Sequence, residues 1–410
     1  MEKLTKEHAT ANVKIIDAIC GAGKSTYAIE MLRQLNPLQP FLYVAVTLDE
    51  INRIINALPE KNVQQPTNEA EYGLKLNSLK TLLARNENIA TSHSLILLAD
   101  DEVYDLIEQA GYMVVIDEAL SVLEQYPISK DDFRTMKSMK YIDIIDNRVV
   151  WKDENLQYTD DDGLYAPIRN LAEQGVLYYH RKCLLFVGLN PRLFSAPTEV
   201  YLLTFLFKAQ LIRYYLDMLG INWSHYMVDS GKLYPYDHLC ENRAHYAALI
   251  DIYDNKEYNK IGDKWNEFST TWLKDCKPDK IDRIKKNIRN YIRNVCKAKS
   301  EDVLWTTILN AKNKLKGSGY TNAFLAVNAR ATNDFADRSV LVYAFNRFMS
   351  PHEKAFFQDN GIRVEEDMLA LSDLLQWIFR SRLRNNKPIR IYIPSRRMRT
   401  LLERFLRGEI

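Results

Sequence analysis

No stretch of this 410-residue chain is apolar for long enough to cross a bilayer: the longest runs, such as Tyr201 to Phe207, fall far short of the roughly 20 residues a helical span needs. The N-terminus also lacks the apolar core of a secretory signal, so the expected location is the cytoplasm, with no membrane partner. Cysteine is scarce. The five present (Cys20, Cys183, Cys240, Cys276 and Cys296) are odd in number and never spaced as CxxC, which excludes a disulfide framework and a standard zinc ribbon. His225, His238, Cys240 and His245 match no usual ligand spacing and read as loop and surface side chains. A dominant charge is missing too, since a net charge of +2 excludes a uniformly basic nucleic-acid coat. There is no internal repeat and no low-complexity segment.

What remains is a globular composition, 47% hydrophobic and 26% charged, on a chain long enough for two domains. In the first half, apolar β-branched runs alternate with helical stretches: Val13 to Ala18, Phe41 to Thr47, Asn88 to Ser92, Met113 to Asp117, Cys183 to Gly188 and Val200 to Phe207. Short continuous apolar runs between helices are the signature of a parallel sheet covered on both faces, hence α/β architecture. From about 127 to 182 the sequence turns charged and turn-rich, with a hairpin over Tyr141 to Lys152 turning at Asp146-Asn147; this reads as an insertion in the first domain. Beyond Gly220 a second α/β unit follows. It has strand-like runs at Ala247 to Tyr253, Ala323 to Val327, Ser339 to Tyr343 and Ile389 to Ile393, and helices at Pro278 to Val295, Leu369 to Arg384 and the C-terminus. The expected division is 1–222 and 223–410.

Two motifs carry chemistry. Ala18-Ile-Cys-Gly21-Ala22-Gly23-Lys24-Ser25-Thr26 lies between a strand and a helix, where glycines let backbone amides turn inward around phosphates. Lys24 adds a cation for the β and γ phosphates and Ser25 a hydroxyl for magnesium. Met113-Val-Val-Ile116-Asp117-Glu118 is an apolar strand ending in adjacent carboxylates, the first suited to hold magnesium and the second to polarise an attacking water. In this order the pair predicts hydrolysis of a nucleoside triphosphate with Mg2+. Charge is also unevenly spread: Lys277, Lys280, Arg283, Lys285, Lys286, Arg289, Arg293, Lys297 and Lys299 face only Asp279 and Asp282 in one stretch, and the tail is similarly basic. Lys285, Lys286 and Arg289 are the residues expected to meet a nucleic-acid backbone.

GAGKST followed by DEAL resembles motifs I and II of superfamily 2 helicases, the DEAD/DEAH-like group, with Ala18 where the general P-loop pattern has Gly. The resemblance implies two RecA-like parallel-sheet domains with ATP between them. It also implies nucleic acid as partner, without separating DNA from RNA; DNA is the expected polymer, with other replication proteins as further expected partners. Tyr43 to Thr47 resembles motif Ia and Ile89 to Ser94 the threonine-bearing element after it, which assigns Thr47, Thr91 and His93 to the nucleic-acid backbone. Val200 to Thr204 or Val187 to Pro191 fills the place of motif III. Asn328 to Asn333 resembles motif V, and Gln376 to Arg384 motif VI, with Gln376, Arg380 and Arg384 as its functional residues. Arg380, at the family's spacing from Gln376, is the better arginine finger; Arg384 falls one residue late.

Two other readings stay open. A phage packaging terminase would join a P-loop ATPase to a nuclease domain and would draw on Asp229, Asp251 and Asp254; an ATP-switched clamp would hold nucleic acid without unwinding it. A compact motor with few accessory segments suits a phage or mobile-element replication protein.

Overall fold

The computed structural model describes residues 12–19, 21–68, 74–152, 165–181, 184–237, 243–327 and 334–410. Cys20, Cys183, His238, Cys240 and the motif V-like segment 328–333 lie outside them. The chain first forms β1 (Asn12–Asp17), β2 (Phe41–Ala45), β3 (Ile89–Ser92) and β4 (Met113–Asp117). It then builds β5 (Leu123–Tyr126), β6 (Ile142–Ile145), β7 (Arg148–Trp151), β8 (Leu177–His180) and β9 (Leu184–Gly188), and returns with β10 (Glu199–Thr204), β11 (Asn222–Asp229) and β12 (Lys232–Pro235).

These strands make two sheets. The larger, ordered β12-β11-β1-β10-β4-β2-β3, pairs β1 with β10 and β11, β4 with β10 and β2, and β2 with β3, all parallel. Five buried positions in a row on β2 and on β4 show why these runs are apolar without alternation: both faces are covered. On one face Ala28 and Leu32 of helix Lys24–Gln34 and Ile51 and Ile54 of helix Leu48–Ala57 pack against Tyr43, Val115 and Leu203. That packing fixes where the helix after β1 begins.

The second sheet, β5-β9-β8-β7-β6, is antiparallel with its own small core of Phe133, Met136, Ile142, Val149, Trp151, Ile168, Leu177 and Leu185. Its β6–β7 hairpin turns where expected, with Asp146 and Asn147 both at positive φ (49° and 63°), the conformation that Asn and Asp tolerate best among non-glycine residues. The insertion is longer than 127–182. β5 and β9 close its sheet at one edge, so the run ending at Gly188 belongs here and not to the parallel sheet. An apolar run of five fits a strand of either kind.

The division at 222 also moves. β11 pairs with β1 from Asn12↔Asn222 to Ile16↔Tyr226, so cutting there would bare an edge of the parallel sheet. One compact unit comprises the chain up to Asp17 with Lys24–Tyr234 and His352–Val364; the other comprises Ala18–Gly23, Pro235–Pro351 and Glu365–Ile410. The excursion His352–Val364 belongs to the first unit because helix Pro351–Asp359 packs Phe356 against Tyr178, His180 and Phe186 (5.3–5.7 Å between rings) and Phe357 against Tyr214, while Arg181 grips Asp359 through two hydrogen bonds of 2.8 and 3.0 Å.

In the second unit β13 (Ile250–Ile252), β14 (Val303–Thr306), β15 (Val340–Tyr343) and β16 (Ile389–Tyr392) form a parallel sheet in the order β13-β16-β15-β14. The expected strand at Ala323 to Val327 reduces to one bridge, Phe324 to Trp305, while β14 itself was not anticipated. Gly262 is obligatory here, since a Cβ would collide with the Pro394 carbonyl. The chain is therefore α/β with parallel sheets in both units, and among the described residues no helix is long and apolar enough to cross a membrane.

Candidate active site

β1 runs into a turn whose glycines take conformations other residues avoid: Gly21 has φ +88° and Gly23 φ +91°. The Ala22 amide donates to the Ile19 carbonyl at 3.1 Å, closing the turn, and an 11-residue helix opens at Lys24. Gly21, Ala22 and Thr26 are exposed and Gly23, Lys24 and Ser25 half-buried, at a helix N-terminus of the kind that suits an anion.

β4 delivers the carboxylates to the same place. The Ser25 hydroxyl donates to Asp117 Oδ2 at 3.3 Å, joining the first turn of the P-loop helix to the end of β4 across 92 residues of sequence. A second donor reaches the same oxygen: the Tyr43 hydroxyl, from β2, at 2.7 Å. Tyr43 is fully buried, and that burial, reinforced by the neighbouring Asp117, pushes its phenol well above its usual range, so it remains a proton donor at every working pH. A serine hydroxyl and an aspartate carboxylate are hard oxygen donors, a set that fits Mg2+ completed by phosphate and water oxygens. Glu118 follows in a left-handed conformation, φ 65°, its amide donating to the Leu203 carbonyl at 2.9 Å. A glutamate in that region is uncommon and is held there by the neighbouring strand β10, with its side chain half-buried at the sheet edge.

Asp17 anchors the other side. This buried carboxylate accepts the amides of Leu206 and Phe207, both at 2.8 Å, and lies 3.0 Å from His225 Nε2 on β11. The turn after β10, with Leu206 at φ 52°, is thus tied to the strand leading into the P-loop. Of the two segments proposed for the motif III place, Val200 to Thr204 lies in the parallel sheet between β1 and β4, whereas Val187 to Pro191 leaves the antiparallel one.

Other expected site residues sit elsewhere in the chain's logic. Thr47 is half-buried and caps helix Leu48–Ala57 by accepting the Glu50 amide. Thr91 is 1% exposed, and His93 is buried with Nε2 2.8 Å from the Asp117 backbone oxygen. The expectation that Thr91 and His93 touch a nucleic-acid backbone is therefore corrected: β3 lies at the sheet edge, but these side chains point into the fold, and His93 supports Asp117. Gln376 is half-buried and donates to Ser372. Helix Glu366–Ile378 is buried on most of its surface, not a solvated amphipathic helix, and ends before Arg380, which is buried. Arg384 is half-buried in the short turn Arg382–Asn385; a Cβ on Gly21 would lie 3.7 Å from its Cγ, both residues belonging to the second unit. On helix Pro278–Asn290, Lys286 and Arg289 are exposed and Lys285 half-buried. Tyr43 and Asp17 were missed by sequence reasoning, because nothing local marks a buried tyrosine or aspartate as a neighbour of the glycine turn and its carboxylates.

Comparison with known proteins places this architecture. Residues 244–406 match the model of the YonV C-terminal Rossmann-like domain and residues 123–187 that of the YonV middle domain, the latter coinciding with the antiparallel insertion. Among solved structures, S. tokodaii Xpd4 aligns over 100% of this chain and 96% of its own at 13% identity and TM-score 0.49, and the Pyrococcus furiosus Hef helicase domain over 98% and 96% at 10% identity and TM-score 0.34. The SPbeta prophage-derived protein YonV of Bacillus subtilis (strain 168) is 36% identical over 409 residues, covering 97% of this chain and 99% of the relative. The chain belongs to the YonV family.

Proposed function

We propose that this protein is a Mg2+-dependent ATP hydrolase that couples turnover to movement along, or unwinding of, nucleic acid, in the cytoplasm of the cell that carries it. The observation that supports it most directly is the Ser25–Asp117 hydrogen bond, which unites the two motifs at the mouth of a glycine turn. In this reading the amides from Gly21 to Thr26 and the Lys24 ammonium hold the β and γ phosphates. Ser25 and Asp117 are the residues that hold Mg2+, whose charge when bound offsets that of the phosphates. Glu118 takes the proton of the water that attacks the γ-phosphorus; the phosphoanhydride bond breaks, and ADP departs with the bonding electron pair. The prophage origin of the B. subtilis relative supports a mobile-element setting and DNA as the polymer.

The packaging-terminase alternative needs convergent carboxylates in the second half. Instead Asp229 lies on β11 of the first unit, Asp251 is engaged by Arg390 at 2.7 Å, and Asp254 accepts from Asn259 at 2.7 Å. Strand displacement and ATPase measured together separate a motor from a clamp. Lys24→Ala and Glu118→Gln are expected to lower ATP turnover by about a thousandfold or more while thermal melts stay near wild type, since both side chains sit at an accessible edge and carry little packing. Normal turnover in either folded variant removes this mechanism; turnover without displacement or translocation leaves the clamp.

A further inference from the structure

Asp117 is held from three directions, and only one of them was foreseeable. Its backbone oxygen meets His93, its Oδ2 accepts from Ser25, and the same Oδ2 accepts the shorter bond from Tyr43. The register explains how a side chain on β2 reaches that far. Tyr43 is aligned with Val115, so it shares a face with Asp117 two residues further along β4, and the length of the phenol spans the difference. No hydrogen bond from the described residues reaches Asp117 Oδ1.

We propose that Tyr43 is a positioning residue for the divalent cation that accompanies the nucleotide: its hydroxyl pins Oδ2 of Asp117 so that Oδ1 stays available to the cation's water shell. The need for such a pin follows from the chemistry of Ser25. The serine would ligate a cation through an oxygen lone pair and keep its proton, so its bond to Asp117, at 3.3 Å against 2.7 Å for the tyrosine, would remain the longer and weaker hold on that oxygen. The tyrosine bond, at 2.7 Å and made by a fully buried side chain, is the tighter hold. A carboxylate with both oxygens free to rotate would lose orientation at the moment it is required.

The inference rests on the ATPase reading, and its test keeps the two apart. Tyr43→Phe preserves the ring and its packing while removing one hydroxyl. Binding of a fluorescent ATP analogue is measured with Mg2+ and with EDTA, alongside thermal melts. The expected result is that Tyr43→Phe weakens the Mg2+-dependent gain in nucleotide affinity by about 10- to 100-fold and leaves metal-free binding within about twofold of wild type, as loss of a residue behind a metal ligand does elsewhere. Because Tyr43 acts through Asp117, the same substitution made in an Asp117→Asn background should produce no further loss of the Mg2+ response. Equal weakening with and without Mg2+ would show a merely structural role and overturn the inference, as would an unchanged Mg2+ response or a full additional loss in the Asp117→Asn background. A wild-type protein whose nucleotide binding ignores Mg2+ overturns the ATPase reading and this inference with it.

Discussion

Arg380 follows the last turn of helix Glu366–Ile378 with 8% of its surface exposed, while Arg384, four residues on, is half-buried next to Gly21 of the phosphate turn. Spacing from Gln376 favoured Arg380 as the arginine finger that the resemblance implies; on the ATPase reading, exposure favours Arg384. Arg384→Ala is expected to change stability by no more than about 0.5 kcal/mol and to lower single-turnover hydrolysis by about a hundredfold or more at nearly unchanged nucleotide affinity. Arg380→Ala should instead cost about 1–3 kcal/mol of stability, because it removes a buried guanidinium. Denaturant melts beside quenched-flow hydrolysis read both quantities, and a stable, inactive Arg380→Ala with a fully active Arg384→Ala restores the order that spacing suggested. At this scale legibility depended on distance along the chain. Gly21, Gly23, Lys24, Asp117 and Glu118 announce themselves within a few residues, each in its own motif. Tyr43 and Asp17 do not, since they are defined by partners 74 and 189 residues away.

Elements were legible where local chemistry decides and obscure where pairing decides. The β6–β7 hairpin followed from Asp146-Asn147, and β4 from an apolar run ending in two carboxylates. β9 was recognised as a strand but given to the wrong sheet, and β11 was missed because its unbroken run of half-buried aromatic and polar residues looks like a polar loop. The docking of helix Pro351–Asp359 was invisible in sequence, and it carries a pH dependence. Burial lowers the His180 imidazole below its ordinary value, outweighing the opposite pull of the Asp359 carboxylate 3.8 Å away; Arg181 and His352 add to the lowering. An unfolded histidine takes its proton near pH ~6.5. Between that value and the lower folded one the unfolded chain binds more protons, so stability falls as pH drops through this window. Urea midpoints are expected to decline between pH 7.5 and 5.5, and His180→Phe to flatten part of that decline. An identical decline in the variant would assign it to other groups.

For the molecule as a whole, a near-neutral net charge conceals a local concentration. Arg283, Lys286, Arg289 and Arg293 follow one another along the exposed side of helix Pro278–Asn290 and its continuation, while Ile281, Ile284 and Ile288 face the core. Among the described residues none of these four cations forms an ion pair. If the stripe meets phosphates, binding of a DNA oligonucleotide should weaken steeply with salt. Charge reversal at Arg283, Lys286 and Arg289 should then reduce the slope of log affinity against log salt by about 2–3, at about 0.9 for each phosphate no longer neutralised. Fluorescence anisotropy between 50 and 200 mM salt measures it; an unchanged slope returns the helix to the role of a solvated surface.

The order in which the chain is made also matters. Phe356 and Asp359 complete a surface formed by Tyr178, His180, Arg181 and Phe186, yet they are synthesised more than a hundred and fifty residues later. The half that carries the glycine turn and the β4 carboxylates, although it comes first from the ribosome, therefore stays unfinished until nearly the whole protein has emerged. A fragment cut at the Tyr234-Pro235 junction would carry the glycine turn, Lys24, Ser25 and both β4 carboxylates and still leave an aromatic seat bare, an invitation to aggregation that no reading of the motifs would foretell.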